Sequence, residues 1–409
     1  MNRHVEAPAA TAARLQAPRP GAPLWLLALF TFSGTLGIHV FVPAMPDAAR
    51  DLGAGGGAMQ MTVSVYILGL AFGQLVYGPL SDRFGRRPVL IGGLALYTLA
   101  GVAAGLAPDV NILIVARLFQ ALGGCVGLVL ARAIVRDTAA PRDAARRLAL
   151  MNLMVTVGPG VAPIVGAALA DSAGWRAIFA LLGALGVANL LFAWRLLAET
   201  GPPSASVSVR ALARDYFGLL RSPAFLGFSI GGGCATTAIY AFVAAAPFIF
   251  VGQLHRATTA TGFYIAILVS GIWLGTMLTS RLVARVALGR LLVGANALGT
   301  IAAFGFLAVV LTGQLSVIAT VATMFVFALG VGVASPAALT SAIGVNPRVI
   351  GSASGLYGFA QMAVGALCTA LAGLGHDAAL SAALVLAGAS VIGQIAFAIA
   401  LRERRGLAV

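Results

Sequence analysis

Long apolar runs, separated by short polar segments, occupy nearly all of this sequence after its first residues. A helix of about 20 apolar residues crosses a hydrocarbon core of about 30 Å. Runs of that length lie near 24–45, 58–79, 89–107, 111–133, 149–170, 176–197, 223–250, 260–281, 291–312, 316–340, 351–373 and 379–401. The pattern predicts an all-α integral membrane protein with twelve transmembrane helices.

Composition supports lipid as the solvent for most of the surface. Charged residues make up only 9% of the chain and hydrophobic residues 60%, whereas a soluble domain is about one quarter charged. Cys125, Cys234 and Cys368 lie inside apolar runs without metal-type spacing, which is typical of small buried residues. We therefore predict no metal, no cofactor and no disulfide framework.

The net charge of +14 comes from arginine alone, because the chain has no lysine among its 26 basic residues. The arginines recur in short clusters between apolar runs, which argues against a nucleic-acid partner. With the N-terminus inside, Arg50, Arg176 and Arg256 fall outside and Arg117 lies within a span, so the other 22 are cytoplasmic. This positive-inside bias predicts that both termini are cytoplasmic.

Polar intervals divide the chain into two similar halves. The predicted organisation is a disordered cytoplasmic tail 1–22, an N-terminal six-helix half 23–198, a cytoplasmic linker 199–222, a C-terminal six-helix half 223–401 and a cytoplasmic tail 402–409. The loop after span 2 has a weak copy after span 8 that lacks the acid. Two parallel repeats of six helices predict a substrate site near mid-membrane between the halves.

The loop after span 2 carries a specific pattern, in which glycines permit a tight junction and one acid stands among arginines. Its residues are Gly78, Asp82, Arg83, Gly85, Arg86 and Arg87. With this loop the chain resembles the major facilitator superfamily, and within it the Bcr/CflA-type drug-efflux antiporters, over residues 24–401. The resemblance implies the major facilitator fold and a loop that latches the halves in one state.

Span 4 contains Arg117 and Gln120, similar to the family's R-x-x-Q-G motif with Ala121 in place of the glycine. An arginine inside a span is costly and indicates function. The structural alternative is that Arg117 holds a neighbouring helix by bonding to its carbonyls.

Span 5 contains Gly158, Pro159, Pro163 and Gly166, which look like the family's antiporter motif. The resemblance implies an exporter. Small residues also let helices pack closely, so a packing role fits these residues as well.

The chain departs from the family in its acids. All twelve lie in tails, loops or the edges of the predicted spans, and His39 stands four residues before Pro43, where the family often has an aspartate. At about 1.5 Å per residue, His39 and Arg117 lie at similar depth. If they face each other, burial and the nearby cation leave His39 neutral, as an acceptor for Arg117. We expect coupling to protons through His39, or through Asp47 near the outer end of span 1.

Polar and aromatic residues on the spans that line the family's cavity suit amphipathic ligands, although each could equally pack helices. The candidates are Tyr66, Gln120, Asn152, Tyr240, Tyr264, Tyr357 and Gln361.

The resemblance implies a monomeric transporter of the bacterial inner membrane. It would export small amphipathic molecules, drugs or metabolites, by alternating access and proton-driven antiport with a non-standard coupling group. An importer or uncoupled facilitator of the same fold is the alternative. An enzyme is not expected, because the one G-x-S-x-G match, Gly227–Gly231, lies in an apolar helical run and lacks the strand–turn–helix context of that motif.

Overall fold

The computed structural model of the protein describes residues 22–139, 141–201, 209–283, 285–346 and 349–406, and these residues contain no strand. The helices that precede the linker are α1 Leu24–His39, α2 Met45–Asp51, α3 Gly56–Phe84, α4 Arg86–Gly105, α5 Val110–Thr138, α6 Pro141–Ala173 and α7 Arg176–Leu196. The linker and second half contain α8 Val209–Leu220, α9 Pro223–Thr236, α10 Ile239–Pro247, α11 Thr258–Leu282, α12 Leu288–Leu311, α13 Val317–Ile343, α14 Ile350–Ala372 and α15 Ala378–Gly406. The predicted all-α fold is confirmed.

Within the described residues, eleven helical segments are long and apolar enough to cross a membrane. Two of them are interrupted: Leu24–Asp51 joins α1 and α2, and Pro223–Gln253 joins α9, α10 and a π-helical turn. Helix α6 covers the fifth predicted span but is not among the eleven. The count of twelve spans, and the side on which the termini lie, therefore stay predictions.

The two halves repeat the same packing. In the first half α5 packs on α3 and α4, and in the second half α13 packs on α11 and α12 in the same way. Gly123 of α5 lets the carbonyl of Gly93 approach to 2.6 Å from the position of a Cβ, and Gly330 of α13 does the same for Ala295 at 2.8 Å. Matching glycines in matching helices support the predicted internal repeat.

The halves meet along two helix pairs, α3 with α14 and α6 with α11. On the first pair the Ser64 hydroxyl donates to the carbonyl of Ala366 at 2.6 Å, and the Gln74 amide donates to the carbonyl of Gly358 at 3.3 Å. Each bond joins a side chain of the first half to a backbone carbonyl of the second half.

We call the end of the bundle where α3, α4 and α5 carry Arg83, Arg86 and Arg136 the arginine-rich end. At the opposite end the halves are in close contact, because Gly57 of α3 leaves no room for a Cβ against the carbonyl of Gly373. The bundle is therefore closed between α3 and α14 at that end.

Helix α8 lies within the stretch predicted as a polar linker, and the sequence analysis did not anticipate it. Leu219 is buried, whereas Arg210, Arg214 and Phe217 are exposed. The alternation of buried and exposed residues makes α8 an amphipathic helix that lies against the bundle.

Candidate functional site

The helices that face each other between the halves are interrupted at equivalent positions. Helix α1 ends at His39 and is followed by a 3-10 turn at Val42–Ala44, since Pro43 has no N–H to continue the helical ladder. Helix α9 ends at Thr236, where the hydroxyls of Thr236 and Thr237 bond back to carbonyls one turn earlier at 2.5 and 2.8 Å. Paired interruptions in the two halves of a transporter indicate its binding site.

His39 lies at this junction and is only 6% exposed. Its ring centroid is 6.0 Å from that of Tyr240, which belongs to the other half. The Nδ1 atom has no hydrogen-bond partner within the described residues. The helical segment that contains His39 continues beyond residue 45 to Asp51, through the charged helix α2.

Arg117 is fully buried in the first half. Its guanidinium donates to the carbonyl of Gly37 at 2.7 Å and to Gln120 Oε1 at 2.8 Å. It also lies over the ring of Tyr66, 3.9 Å from the centroid, with Phe41 and Phe179 at 5.6 and 5.8 Å. Aromatic faces stabilise a desolvated cation. Arg117 therefore holds α5 to α1 just before the interruption.

The pairing of His39 with Arg117, considered from the sequence, is not formed among the described residues. The guanidinium of Arg117 donates to the carbonyl of Gly37, two residues before His39. The imidazole of His39 instead lies beside Tyr240 of the second half. The carbonyl-binding alternative for Arg117 describes the geometry, and the condition under which His39 would accept from Arg117 is not met here.

Two of the predicted cavity residues belong to the shell of Arg117. Tyr66 donates through its hydroxyl to the carbonyl of Gly34 at 2.8 Å, and Gln120 accepts from Arg117. Both side chains are fully buried in the first half. A direct contact of either with substrate stays a prediction.

The remaining cavity candidates lie mostly in the second half. Gln361 of α14 donates to the Thr236 hydroxyl at 2.7 Å, at the interruption of span 7. Tyr357 is buried, and its hydroxyl has no partner within the described residues. Tyr264 packs against Phe250 with centroids 4.9 Å apart. The side chain of Asn152 lies outside the described residues.

The small residues of span 5 bring α6 against the same junction. Gly166 leaves no room for a Cβ beside the carbonyl of Val40, the residue after His39. Pro163 presents its carbonyl to Gly262 of α11, 2.7 Å from where a Cβ would lie. Gly158 packs under the Phe32 ring, while Pro159 occupies the next position inside α6. The motif thus joins α1 in one half to α11 in the other.

The loop after span 2 forms an ionic cluster at the arginine-rich end. Arg86 bonds to Asp82 at 2.5 Å and to Asp137, at the end of α5, at 2.9 Å. The Glu199 carboxylate accepts from the backbone N–H groups of Arg86 and Arg87 at 2.9 and 3.1 Å. A carboxylate at these free N–H groups stabilises the start of α4. The cluster therefore joins the ends of α3, α4, α5 and α7.

The remaining loop residues have separate roles in this cluster. Gly85 has a φ of 96°, a conformation that favours glycine and lets α4 follow α3 directly. Gly78 has open space beside it, and the Arg83 guanidinium lies 5.2 Å from the Phe84 ring centroid. Sequence reasoning missed Asp137 and Glu199, whose only signal was an acid at the end of a span.

Asp47 lies in α2, which directly follows the 3-10 turn, and forms an ion pair with Arg50. Its side chain is 29% exposed. Within the part of the chain that the structure describes, no group of three or more His, Cys, Asp or Glu residues could hold a metal ion.

Two repeated halves of apolar helices around a partly polar junction are the architecture of a secondary transporter, and the protein is a multi-pass membrane transporter of small molecules and not an enzyme. The chain belongs to the Major Facilitator Superfamily, whose sequence profile matches residues 27–369. This confirms the family predicted from the loop after span 2.

Similar proteins include an MFS-type transporter and two proteins named for drug resistance. The uncharacterized MFS-type transporter YdgK of Bacillus subtilis is 30% identical over 394 residues, 93% of this chain and 96% of that protein. A bicyclomycin resistance protein homolog of Haemophilus influenzae is 24% identical over 384 residues, 91% and 94% of the two chains. A chloramphenicol resistance protein of Pseudomonas aeruginosa is 37% identical over 180 residues, 44% of this chain and 43% of that protein.

Solved structures with the same fold include transporters of other cargo. A D-xylose-proton symporter has a TM-score of 0.76 at 15% identity, covering 92% of this chain and 96% of that one. The nucleoside transporter NupG has a TM-score of 0.73 at 14% identity, covering 92% and 98%. At these identities the likeness concerns the fold alone.

Proposed function

We propose that the protein exports small amphipathic molecules, drugs or metabolites, across the bacterial inner membrane by proton-driven antiport. In this proposal the arginine-rich end and both termini face the cytoplasm, and twelve spans form two six-helix halves. The relatives named for bicyclomycin and chloramphenicol resistance support an exported cargo of this kind. The chain acts as a monomer, since each chain supplies both halves of the junction.

The observation that carries proton coupling is the position of His39. Its ring is buried between the two interrupted helices, beside Tyr240 of the opposite half. An imidazolium there would lack a carboxylate partner among the described residues and would need water. Water reaches the ring only when the halves separate, so proton uptake and the movement of the halves become linked.

Alternating access follows from the two helix pairs that join the halves. The halves are closed between α3 and α14 at Gly57 and Gly373, while a cavity opens between them at the arginine-rich end. Release of cargo outside requires the first contact to separate and the cavity to close. The ionic cluster around Arg86 joins helix ends of the first half, and a latch between the halves through the loop after span 2 stays a prediction.

Transport into proteoliposomes with an imposed pH gradient tests the coupling. We expect His39→Ala to abolish gradient-driven transport while leaving exchange of cargo without a gradient measurable. His255→Ala, at an exposed histidine outside the junction, is the matched control and should transport normally. Asp47→Asn tests the second coupling candidate. If His39→Ala and Asp47→Asn both keep full gradient-driven transport, neither residue couples protons.

An importer or uncoupled facilitator is the second candidate. The observation that favours it is the absence of an acid from the middle of any predicted span, and the fold is shared with a D-xylose-proton symporter. Inside-out membrane vesicles separate the two, because an exporter accumulates cargo inside them when energised. Loss of cargo from such vesicles under the same gradient would support import instead.

A further inference from the structure

A second polar site lies between the halves at the arginine-rich end, away from His39. It is a cavity of about 390 Å³, within the range of small-molecule sites, roughly 300–1,000 Å³. Helices α3, α4, α5 and α6 form one wall, and α8 and α14 form the other. Both halves therefore contact whatever occupies it.

The charge on the first wall is not balanced. Arg86 and Asp82 line the cavity but bond to each other, and Arg86 bonds to Asp137 as well. Arg132 and Arg136 also line it, are exposed to it, and form no ion pair or side-chain hydrogen bond among the described residues. They lie one turn apart on the same face of α5, where like charges repel each other. The pair presents an uncompensated positive charge to the cavity.

The other surfaces of the cavity divide into polar and apolar parts. Ser352 and Ser354 of α14 bring hydroxyls to the wall opposite the arginines, and Ser352 contacts Asp215 Oδ2 at 3.4 Å. Val129 and Leu148 are apolar neighbours on the first wall. A ligand that satisfies these surfaces has a charged end and an apolar body.

We propose that this cavity binds the anionic head of a small amphipathic molecule. A carboxylate, sulfonate or phosphate lies between Arg132 and Arg136, because guanidinium groups bind such oxygens with strong, charge-assisted hydrogen bonds. The apolar body lies against Val129 and Leu148. This gives the proposed exporter an anionic class of cargo, and to that extent rests on the proposed function. The same chemistry fits the headgroup of an anionic lipid.

Binding to the full chain in nanodiscs of neutral phosphatidylcholine tests the site without any pH gradient. The probes are 4-phenylbutyrate and its neutral amide, 4-phenylbutyramide, measured by isothermal titration calorimetry and by the ligand-induced rise in Tm. We expect the acid to bind and the amide to bind at least about tenfold more weakly, since it lacks the charge-assisted hydrogen bonds. This comparison uses the unmodified protein and needs no variant.

Three variants assign the binding to the arginine pair. The double variant Arg132→Gln/Arg136→Gln should lose about tenfold in affinity for the acid, and Arg132→Lys should retain most of it because the charge remains. Arg195→Gln removes an exposed arginine at the same end but outside the cavity, and should leave affinity unchanged. Equal binding of acid and amide, or equal affinity in the double variant and Arg195→Gln, overturns the proposal.

Nanodiscs containing phosphatidylglycerol distinguish the two sources of the anion. If this lipid raises the Tm and competes with 4-phenylbutyrate in the unmodified protein but not in the double variant, the site takes a lipid headgroup. If 4-phenylbutyrate binds equally in both lipids, the site takes a soluble anion. Because no transport is measured, failure of proton-driven export leaves the binding result intact, and failure of binding leaves the export tests intact.

Discussion

The two halves share a helix packing but differ in how their polar groups are satisfied. All the ion pairs among the described residues lie in the first half: Arg50 with Asp47, Arg86 with Asp82 and Asp137, and Arg176 with Asp51. The second half instead pairs neutral groups, and these lie deeper, since Asn296 and Thr236 are both buried. Asn296 donates to Gln394 at 2.7 Å, and Gln361 donates to Thr236 at 2.7 Å.

The same difference between the halves is visible in the two loops that the internal repeat makes equivalent. The loop between α3 and α4 keeps Asp82 and its arginines, whereas the loop between α11 and α12 keeps Arg281 and Arg290 and has lost the acid. Charge-assisted hydrogen bonds are stronger than neutral ones. We infer that these charged groups make the first half the more stable body.

The largest expected effect comes from exchanging equivalent buried residues of α5 and α13. Arg117 is the eighth residue of α5 and Met324 the eighth of α13, and both are fully buried. Met324→Arg should lower the free energy of unfolding by about 3–5 kcal/mol, because it buries a charge. The equivalent of the accepting Gln120 in α13 is Phe327, which cannot accept a hydrogen bond. Arg117→Met should lower the free energy of unfolding by only about 1–2 kcal/mol, since an apolar residue packed in place of a buried ion removes mainly the hydrogen bonds of that ion.

Thermal unfolding, followed by a thiol-reactive dye, measures how each of the two substitutions changes the stability of each half. Cys125 lies in the first half and Cys234 in the second, and both are buried and free. Versions of the chain that retain one of these cysteines report on the half that contains it. A larger cost for Arg117→Met than for Met324→Arg would show that the aromatic shell of Arg117 is not what makes a buried charge tolerable.

The sequence predicted the helices of this fold because the length of an apolar run is a local property. It also predicted which polar residues are unusual inside the membrane, since His39 and Arg117 stand out against apolar neighbours. Their partners depend on how each helix is rotated about its axis. The bond from Arg117 to the carbonyl of Gly37 joins residues 80 positions apart, so no local pattern could indicate it.

The interruptions and the ionic cluster were missed for related reasons. The interruption after Thr236 depends on hydroxyls that bond back to the helix, and threonines inside helices often make such bonds without ending them. Glu199 reaches the start of α4 across 113 residues of sequence. Helix α8 was not anticipated because its exposed arginines resemble an ordinary cytoplasmic linker.

A smaller effect is expected at Glu199, which tests whether charge fixes the arginine-rich end of the first half. Glu199→Gln keeps the shape but removes the negative charge that faces the N–H groups of Arg86 and Arg87. We expect a loss of about 1–2 kcal/mol in unfolding free energy, read as a lower Tm at Cys125. Because salt screens exposed charges, the difference from the unmodified chain should shrink at high ionic strength. A difference that is independent of salt would contradict the electrostatic explanation.

The smallest effect compares the halves at the N-cap residues of the equivalent helices α5 and α13. Asp109 precedes α5 and accepts from two backbone N–H groups at 2.8 and 3.0 Å, whereas Ser316 precedes α13 and accepts from one at 3.3 Å. Both changes to alanine remove a helix cap. We expect the free energy of unfolding to fall by about 1 kcal/mol in Asp109→Ala and by about 0.5 kcal/mol in Ser316→Ala. The dye assay should show the first loss at Cys125 and the second at Cys234.

Ser316→Asp should stabilise α13, because it gives the second half the charged cap of the first. If Ser316→Asp leaves the Tm at Cys234 unchanged while Asp109→Ala lowers it at Cys125, charge at this position is not what separates the stabilities of the two halves.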